Sequence, residues 1–343
     1  MEIGHHTRQE IFSQPKAWSA ALDVLRAQSE SLRAFYREGQ FDTVLFTACG
    51  SPYYLGLSAA ALMNELGGPG ARCFPASEVW LNPRLTFRKD QRTLLITVSR
   101  SGETSETVRA VETFRGQGNG AVLTLTINPG SALTTLGDVN LVLPSGLEES
   151  IAQTRAFTTL YLSALYLAAF WSGRDDILSE LPRLPAASNS LISNSQSLAQ
   201  SLGHDPSLDR FYFLGSGARY GLACELSLKM KEMSLSHSEP FHFLEFRHGP
   251  KSMASRGALV IGLVSESNRQ PEMAVLDDTR ALGARVIALN DCDADVAFDS
   301  GLSEIARNIL YLPFGQLFAF ERALSKNLNP DKPENLDAFV VLK

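Results

Sequence analysis

The sequence predicts an α/β protein with two doubly wound parallel sheets related by internal duplication. Three observations lead to this fold class. Short apolar segments end at turns of small residues, the segments between them have helical spacing, and the whole pattern begins again near residue 210. Strands that alternate with helices of this length are typical of parallel βαβ units. A chain of 343 residues is also long enough for two domains, at about 150 residues each.

The first half of the chain contains four predicted strands joined by helices. The strands are Thr43–Ala48, Thr93–Val98, Ala121–Thr126 and Asn140–Leu143. Intervening segments with helical spacing are Tyr54–Leu66 and Thr104–Phe114. The segment Ala156–Trp171 is the most hydrophobic of the chain. It predicts a buried helix, because it is shorter than the roughly 18–20 residues that span a bilayer.

The second half repeats this arrangement after a linking helix predicted over Ser188–Leu202. Its predicted strands are Arg210–Leu214, Leu259–Val264, Arg285–Leu289 and Ile309–Leu312. At an offset of 167 positions, Gly50 falls on Gly217 and Glu65 falls on Glu232. Because these matches lie at equivalent points of the pattern, they favour duplication over chance.

Composition and charge argue against several classes of protein. The chain has 31 Lys and Arg against 37 Asp and Glu, a net charge of −6, so a nucleic-acid partner is not expected. Its four cysteines form no C-x-x-C pair, so neither a zinc knuckle nor a disulfide framework is predicted. The first 18 residues contain no apolar signal core. A cytoplasmic protein without a membrane segment is therefore expected.

Two turns of the first half have the residue types of a phosphate site. The segment from Ser99 to Thr104 (Ser-Arg-Ser-Gly-Glu-Thr) follows a predicted strand and precedes a helix, and Gly50-Ser51 follows the predicted neighbouring strand. Helix N-termini at strand carboxyl ends offer free N–H groups to anions. The alternative is a capping box closed by Ser101 or Thr104. The matching loop of the second half, Ser265–Asn268, carries an acid, so one phosphate site per chain is expected.

The second half contains the candidate acid–base residues. Glu225, Lys229 and Glu232 are spaced i, i+4 and i+7 and therefore share one helix face. His248 follows an apolar and aromatic stretch, and a carboxylate with a histidine can move protons. The alternatives are surface ion pairs for the helix and a structural role for the histidine. No H-E-x-x-H or similar spacing occurs, so no metal is expected.

These motifs together resemble the tandem sugar isomerase (SIS) domain family. The pattern is similar to the isomerase part of glucosamine-6-phosphate synthase and to stand-alone amino-sugar-phosphate deaminases and isomerases. The residues that carry the resemblance are Glu10-Ile11, Gln14-Pro15, Cys49-Gly50-Ser51, Ser99–Thr104, Asn128, Gly130-Ser131, Thr154–Thr158, Leu228–Glu232, Arg247–Pro250 and Pro330–Leu336. They span nearly the whole chain in the family's order.

The resemblance implies a flavodoxin-like fold for each half and a role for each candidate residue. Glu232 is implied to be the base that moves a proton between C1 and C2, and His248 to help open the sugar ring from a second subunit of a homodimer. Lys229 is implied to lie near the sugar hydroxyls. The implied phosphate- and sugar-binding residues are Gly50, Ser51, Ser99, Arg100, Ser101, Thr104 and Gln153.

Three departures from the family pattern limit what the resemblance implies. The sequence begins at the isomerase part, so no glutaminase domain is expected. The family's tail carries a lysine that forms a Schiff base, and Ala338 stands at that position; an alanine cannot form an imine. Arg100 also stands where the synthase usually has glutamine. Ala338 therefore argues against synthase-like chemistry and leaves proton transfer by Glu232 unaffected.

The expected function is that of a phosphosugar isomerase or deaminase acting on a hexose or amino-hexose 6-phosphate without a metal or organic cofactor. The alternatives are a non-catalytic sugar-phosphate sensor and a fructosyl-amine-6-phosphate deglycase. The expected organisation has four parts: an N-terminal helical segment (1–40), a phosphate-binding SIS domain (41–180), an SIS domain with the acid–base residues (181–325) and a tail that closes the active site (326–343).

Overall fold

The structure is a computed structural model that describes residues 2–342; Met1 and Lys343, at the ends of the first and last predicted parts, lie outside the described residues. The strands are β1 Thr43–Ala48, β2 Gly70–Pro75, β3 Thr93–Ser99, β4 Gly120–Thr126, β5 Val139–Val142, β6 Arg210–Leu214, β7 His237–Phe241, β8 Ala258–Leu263, β9 Arg285–Asn290 and β10 Val296–Ala297. The helices are α1 His5–Ala27, α2 Ser29–Gly39, α3 Ser51–Glu65, α4 Ala76–Leu81, α5 Pro83–Thr86, α6 Ser105–Gln117, α7 Arg155–Trp171, α8 Asp175–Glu180, α9 Leu184–Gly203, α10 Ala218–Ser234, α11 Arg269–Ala281 and α12 Tyr311–Ser325.

The strands form two parallel five-stranded sheets with flanking helices, which confirms the predicted fold class. The first sheet has the order β2-β1-β3-β4-β5 and the second β7-β6-β8-β9-β10. Each is the 2-1-3-4-5 order of a flavodoxin-like doubly wound sheet. The central strands β1, β3 and β8 are buried along their whole length, as expected when helices cover both faces of a parallel sheet.

Seven of the eight predicted strands are present, with ends that agree to within one residue. The predicted strand Ile309–Leu312 is wrong. It lies in a 3₁₀ turn over Ala306–Leu310 and the start of α12. A short apolar segment fits a buried strand or a buried helix equally well, and here the buried positions continue helically from Tyr311 to Phe320.

The chain divides into two compact units, each built around one sheet. The first-sheet unit comprises residues 16–148, 155–182 and 337–342, and the second-sheet unit comprises 2–15, 149–154 and 183–336. The predicted boundary at residue 180 lies close to this division. The ends differ, because residues 2–15 group with the second sheet and the predicted tail is shared between the units.

Helix α7 is the hydrophobic segment of the first-sheet unit. Fourteen of its 17 residues are buried, and Tyr161 receives a hydrogen bond from Ser58 of α3 at 3.0 Å. Trp18 is completely buried and donates to Thr158 of α7 at 3.0 Å. Along the described chain, no helix combines the length and the apolar character that a membrane crossing requires.

The turns after β1 and β6 have the same backbone conformation. Gly50 has φ 60° and ψ −133°, and Gly217 has φ 56° and ψ −132°. Side chains other than glycine rarely adopt this conformation. The elements around these turns also correspond at the predicted offset, because β1, α3 and β2 shifted by 167 positions begin at the first residues of β6, α10 and β7. This correspondence supports the interpretation of the two halves as duplicates.

Candidate active site

The two predicted phosphate turns lie at one edge of the first sheet. Strands β1 and β3 are parallel neighbours, with Thr47 paired to Thr97, so both of their carboxyl ends reach the same edge. Ser51 is the first residue of α3 and is only 4% exposed. Ser99 is the last residue of β3 and is 3% exposed. The structure therefore brings the two turns together, as the sequence predicts.

The loop from Ser99 to Thr104 is held in shape by its own hydroxyls. Ser99 Oγ accepts a hydrogen bond from the Gly102 N–H at 3.0 Å, and Ser101 Oγ accepts one from the Glu103 N–H at 3.1 Å. Thr104 is the N-cap of α6, and in the described structure its side chain makes no capping hydrogen bond. The alternative of a capping box is therefore wrong, and the helix N-terminus is not closed by its own side chains.

Gly102 is required by the close approach of a neighbouring loop. Its φ is +71°, and a Cβ atom built there would lie 2.0 Å from Ser131 Oγ. Ser131 is fixed by donating to the Asn128 carbonyl at 3.0 Å, and Asn128 Nδ2 donates to the Ser101 carbonyl at 3.1 Å. These contacts hold Ser131 against Gly102 and join Asn128 to the loop from Ser99 to Thr104.

Arg100 lies in the loop from Ser99 to Thr104, the predicted phosphate loop. It links this loop to a carboxylate and to the C-terminal tail (326–342). Its Nη1 lies 3.5 Å from Glu148 Oε1, and both side chains are nearly or fully buried. Its Nη2 donates to the Ala338 carbonyl at 2.7 Å. The tail continues along α6, where the Ser105 N–H donates to the Val340 carbonyl at 3.2 Å. Ala338 therefore contributes a backbone oxygen, where the family pattern has a lysine side chain.

The predicted acid–base face of α10 lies in the second-sheet unit and is buried. Lys229 and Glu225 side chains are 1% and 0% exposed, with Lys229 Nζ 3.4 Å from Glu225 Oε1. Lys229 also contacts Glu232 Oε2, and Glu232 is 20% exposed. The alternative of surface ion pairs is therefore wrong for this face. A buried ammonium between two carboxylates fixes the position of Glu232 and leaves that carboxylate partly accessible.

His248 is exposed, in a turn after β7. Its backbone N–H donates to the Glu245 carbonyl at 2.9 Å, and its imidazole has no hydrogen-bond partner within residues 2–342. Within residues 2–342, no hydrogen bond or ion pair joins His248 to Glu232. His242 has a structural role instead, because it stacks on Tyr220 with ring centroids 3.8 Å apart. Burial lowers the pKa of His242.

Gln153 lies in a loop of the second-sheet unit that two buried side chains hold, Glu10 and Gln316. Glu10 accepts hydrogen bonds from the N–H groups of Glu149 and Ser150 at 2.6 and 3.2 Å. Gln316 Nε2 donates to the Thr154 carbonyl at 3.2 Å. The Gln153 Oε1 atom is buried and has no partner among the described residues. A buried amide oxygen without a hydrogen-bond partner is energetically costly.

The second sheet has a loop equivalent to the phosphate loop, and a carboxylate of the chain occupies it. Glu304 Oε2 accepts from the Ser267 N–H at 3.0 Å, just before α11, while its Oε1 accepts from Arg219 Nη1 at 2.7 Å. Glu266, the acid noted in the sequence, instead contacts Arg307 at 2.7 Å. One phosphate site per chain remains the expectation, and Glu304 rather than Glu266 is the residue that supports it.

A second carboxylate, Glu272, closes the same loop from α11. It is 2% exposed and accepts from the Ser265 N–H at 2.6 Å. Burial raises the pKa of Glu272, although the hydrogen bonds from Ser265 and the charge of Arg219 oppose that shift.

Sequence reasoning missed Glu148 and Glu304, because each is far in sequence from the residue it contacts. Glu10 and Gln14 were recognised only as part of a pattern. In the part of the chain that the structure describes, no three His, Cys, Asp or Glu side chains are arranged to hold a metal ion.

The fold and these motifs identify the family. The pattern of the SIS domain matches residues 40–170 and 207–312, which together exceed half of the chain. The chain belongs to the SIS domain family.

Two curated relatives are similar to this chain over nearly its whole length. The glutamine–fructose-6-phosphate aminotransferases [isomerizing] of Shewanella oneidensis and Chlamydia abortus are 29% and 30% identical over 100% and 99% of this chain. The chain spans only 59% of the length of either relative.

Among solved structures, glucosamine-6-phosphate deaminase from Thermotoga maritima is 28% identical with a TM-score of 0.84, covering 98% of this chain and 100% of that one. Tagatose-6-phosphate ketose/aldose isomerase from Escherichia coli is 24% identical with a TM-score of 0.83 over 95% of both chains, which shows the shared fold alone.

Proposed function

We propose that this protein is a phosphosugar isomerase that acts on an amino-hexose 6-phosphate and releases ammonia, as in the conversion of glucosamine 6-phosphate to fructose 6-phosphate. The single observation that carries the proposal is the buried set of Glu225, Lys229 and Glu232. Such a set places one partly exposed carboxylate in a fixed position, which proton abstraction next to a carbonyl requires. The similarity over full length to a glucosamine-6-phosphate deaminase supports the choice of substrate.

The proposed binding step uses the first-sheet turns. The sugar phosphate accepts hydrogen bonds from the hydroxyls of Ser51, Ser99, Ser101 and Thr104 and from N–H groups at the start of α3 and α6. Gly50 lets the backbone approach the phosphate, since no side chain there excludes it, and Gly102 gives the loop its shape by leaving room for Ser131. Arg100 adds positive charge beside this loop, and Gln153 supplies an amide oxygen for a sugar hydroxyl.

The proposed chemical step uses the second-sheet residues. After ring opening assisted by His248, Glu232 removes a proton from C2 and returns it to C1 through an enolamine. Water then replaces the nitrogen at C2, so that ammonia leaves and a ketose with its carbonyl at C2 remains. Lys229 holds Glu232 and stabilises negative charge near the sugar hydroxyls. Because His248 has no partner for its imidazole in the described residues of one chain, we propose that it completes the site of a second subunit in a homodimer.

The proposal is tested by a screen of hexose and amino-hexose 6-phosphates for ammonia release and ketose formation. Glucosamine 6-phosphate is expected to give both products in equal amounts. Ketose formation without ammonia from an unsubstituted hexose phosphate would support an isomerase without deaminase activity. Release of an amino acid from fructosyl-amine 6-phosphates alone would favour a deglycase, and tight binding of sugar phosphates with no turnover would favour a sensor.

A further inference from the structure

A cavity of about 570 Å³ in the first-sheet unit lies apart from the phosphate turns. Phe41 and Pro69, which line it, come just before the first residues of β1 and β2. The cavity is therefore at the amino ends of these strands, whereas the phosphate turns follow carboxyl ends. A six-residue strand separates these two edges by about 20 Å, so the cavity is a separate site.

The cavity carries two positive charges that have no ion-pair partner in residues 2–342. Arg33 and Arg37 are one turn apart on α2 and both are exposed. No carboxylate is among the described residues that line the cavity. In a protein of net charge −6, a concave surface with two arginines and no acid favours an anion.

Four of the other seven lining residues are aromatic: Tyr36, Phe41, Phe170 and Trp171. Tyr36 stacks on Trp171 with centroids 4.5 Å apart and planes 6° from parallel. Trp171 Nε1 donates to the Leu32 carbonyl at 3.3 Å, which fixes the indole. The Arg33 guanidinium lies over Phe170, 4.8 Å from the ring centroid. Flat apolar faces next to guanidinium groups suit a ligand that combines a ring with an anionic group.

We propose that this cavity binds a small aromatic anion of the nucleotide class. The ring packs against the Tyr36, Phe41 and Trp171 side chains, and the phosphate pairs with Arg33 and Arg37. The volume is within the range of about 300–1,000 Å³ that is usual for small-molecule sites. The site is independent of the sugar-phosphate chemistry, because it shares no residue with the phosphate turns or with the α10 carboxylates.

The test is a calorimetric titration of the full chain with AMP, adenosine and inorganic phosphate. AMP is expected to bind more tightly than either part alone, because the ring and the anion each contribute. The Arg33→Ala, Arg37→Ala double variant is expected to lose at least about tenfold in AMP affinity. The matched control is Arg88→Ala, which removes an exposed arginine paired with Asp90 and is expected to bind AMP like the wild type.

Two further variants locate the binding site. AMP is expected to quench tryptophan fluorescence in Trp80→Phe but not in Trp171→Phe. Binding is expected to survive in the Ser101→Ala, Thr104→Ala variant, whose changes lie in the phosphate loop. The proposal is overturned if AMP does not bind saturably at millimolar concentrations, if phosphate alone or adenosine alone binds as tightly as AMP, or if the phosphate-loop variant abolishes binding.

Discussion

Lys229 is the residue on which the acid–base face of α10 depends. It is almost fully buried and lies between Glu225 and Glu232. A buried carboxylate is stable only when it is paired, and loss of one partner of a buried ion pair is costly. The same ammonium group therefore stabilises the fold and positions the proposed base.

Replacing Lys229 by Met is expected to destabilise the protein by about 3–5 kcal/mol, because Glu225 would lose a buried cation. The free energy of unfolding from urea titration measures this effect. The matched control is Lys231→Met, an exposed position of the same helix, for which no loss beyond about 0.5 kcal/mol is expected. Equal stability of the two variants would contradict a buried role for Lys229.

Replacing Glu232 by Gln is expected to abolish exchange of the substrate C1/C2 proton with deuterated water while sugar-phosphate binding survives. The change keeps the shape of the side chain and removes its basicity. Loss of a general base costs about a hundred- to ten-thousand-fold in rate. Proton NMR follows the exchange, and thermal shift with fructose 6-phosphate follows the binding. Exchange at the wild-type rate would mean that Glu232 only pairs with Lys229.

At the scale of the secondary-structure elements, the sequence predicts all the central strands but only one of the four edge strands, β5. Strands β1, β3 and β8 consist mainly of apolar residues because both of their faces are buried. The edge strands β2, β7 and β10 were not predicted. β2 and β7 each contain a proline and only one buried residue, and β10 has two residues. These edge strands are less buried and therefore lack the apolar pattern. The strand with which each of them pairs is also distant in sequence.

The phosphate loop is an element whose shape depends on one glycine. Gly102→Ala is expected to destabilise the protein by about 1–3 kcal/mol and to remove the thermal stabilisation by fructose 6-phosphate, because Ala at a positive φ would also meet Ser131. The matched control is Gly116→Ala in α6, where a Cβ meets no atom within 4 Å. That change is expected to be neutral or to stabilise by about 0.5–1 kcal/mol.

The equivalent loop of the second sheet is expected to bind anions better when Glu304, one of its two carboxylates, is removed. Glu304→Ala frees the Ser267 N–H and removes the 2.7 Å contact of Arg219, whose Nη2 stays 3.9 Å from Glu272. Added inorganic phosphate is therefore expected to raise the melting temperature of Glu304→Ala more than that of the wild type. Glu266→Ala is the control, because Glu266 contacts Arg307 and not Ser267. An unchanged phosphate response in Glu304→Ala would show that the loop does not bind anions.

At the scale of the whole molecule, the sequence predicts two α/β halves but not which segments join each half. The chain passes from one unit to the other after residues 15, 148, 154, 182 and 336. These assignments depend on contacts such as Thr7 with Asp331 and Glu10 with Ser150. Polar contacts of this kind leave no periodic signal in the sequence. The resemblance to a family pointed to Glu10 and Asp331 without giving their partners.

The proposed homodimer is tested by mixing two inactive variants. Glu232→Gln chains and His248→Ala chains are each expected to lack activity. A 1:1 mixture is expected to recover about a quarter of the wild-type activity per site, because about half of the dimers are then mixed and one of the two sites of each mixed dimer contains both native residues. Light scattering measures the stoichiometry. No recovery in verified mixed dimers would mean that both residues act within one subunit.

The hydrogen bonds between Thr7 and Asp331 set a limit on when this protein can finish folding. Asp331 Oδ1 accepts from both the N–H and the hydroxyl of Thr7 at 2.7 Å, across 324 positions of sequence. At synthesis rates of about 5–20 residues per second, roughly 20–60 seconds pass on the ribosome before Asp331 is made. During that time the start of α1 has no cap from this side chain. The second-sheet unit is thus completed only late in translation or after it. Until then, α1 lacks its hydrogen bonds to Asp331.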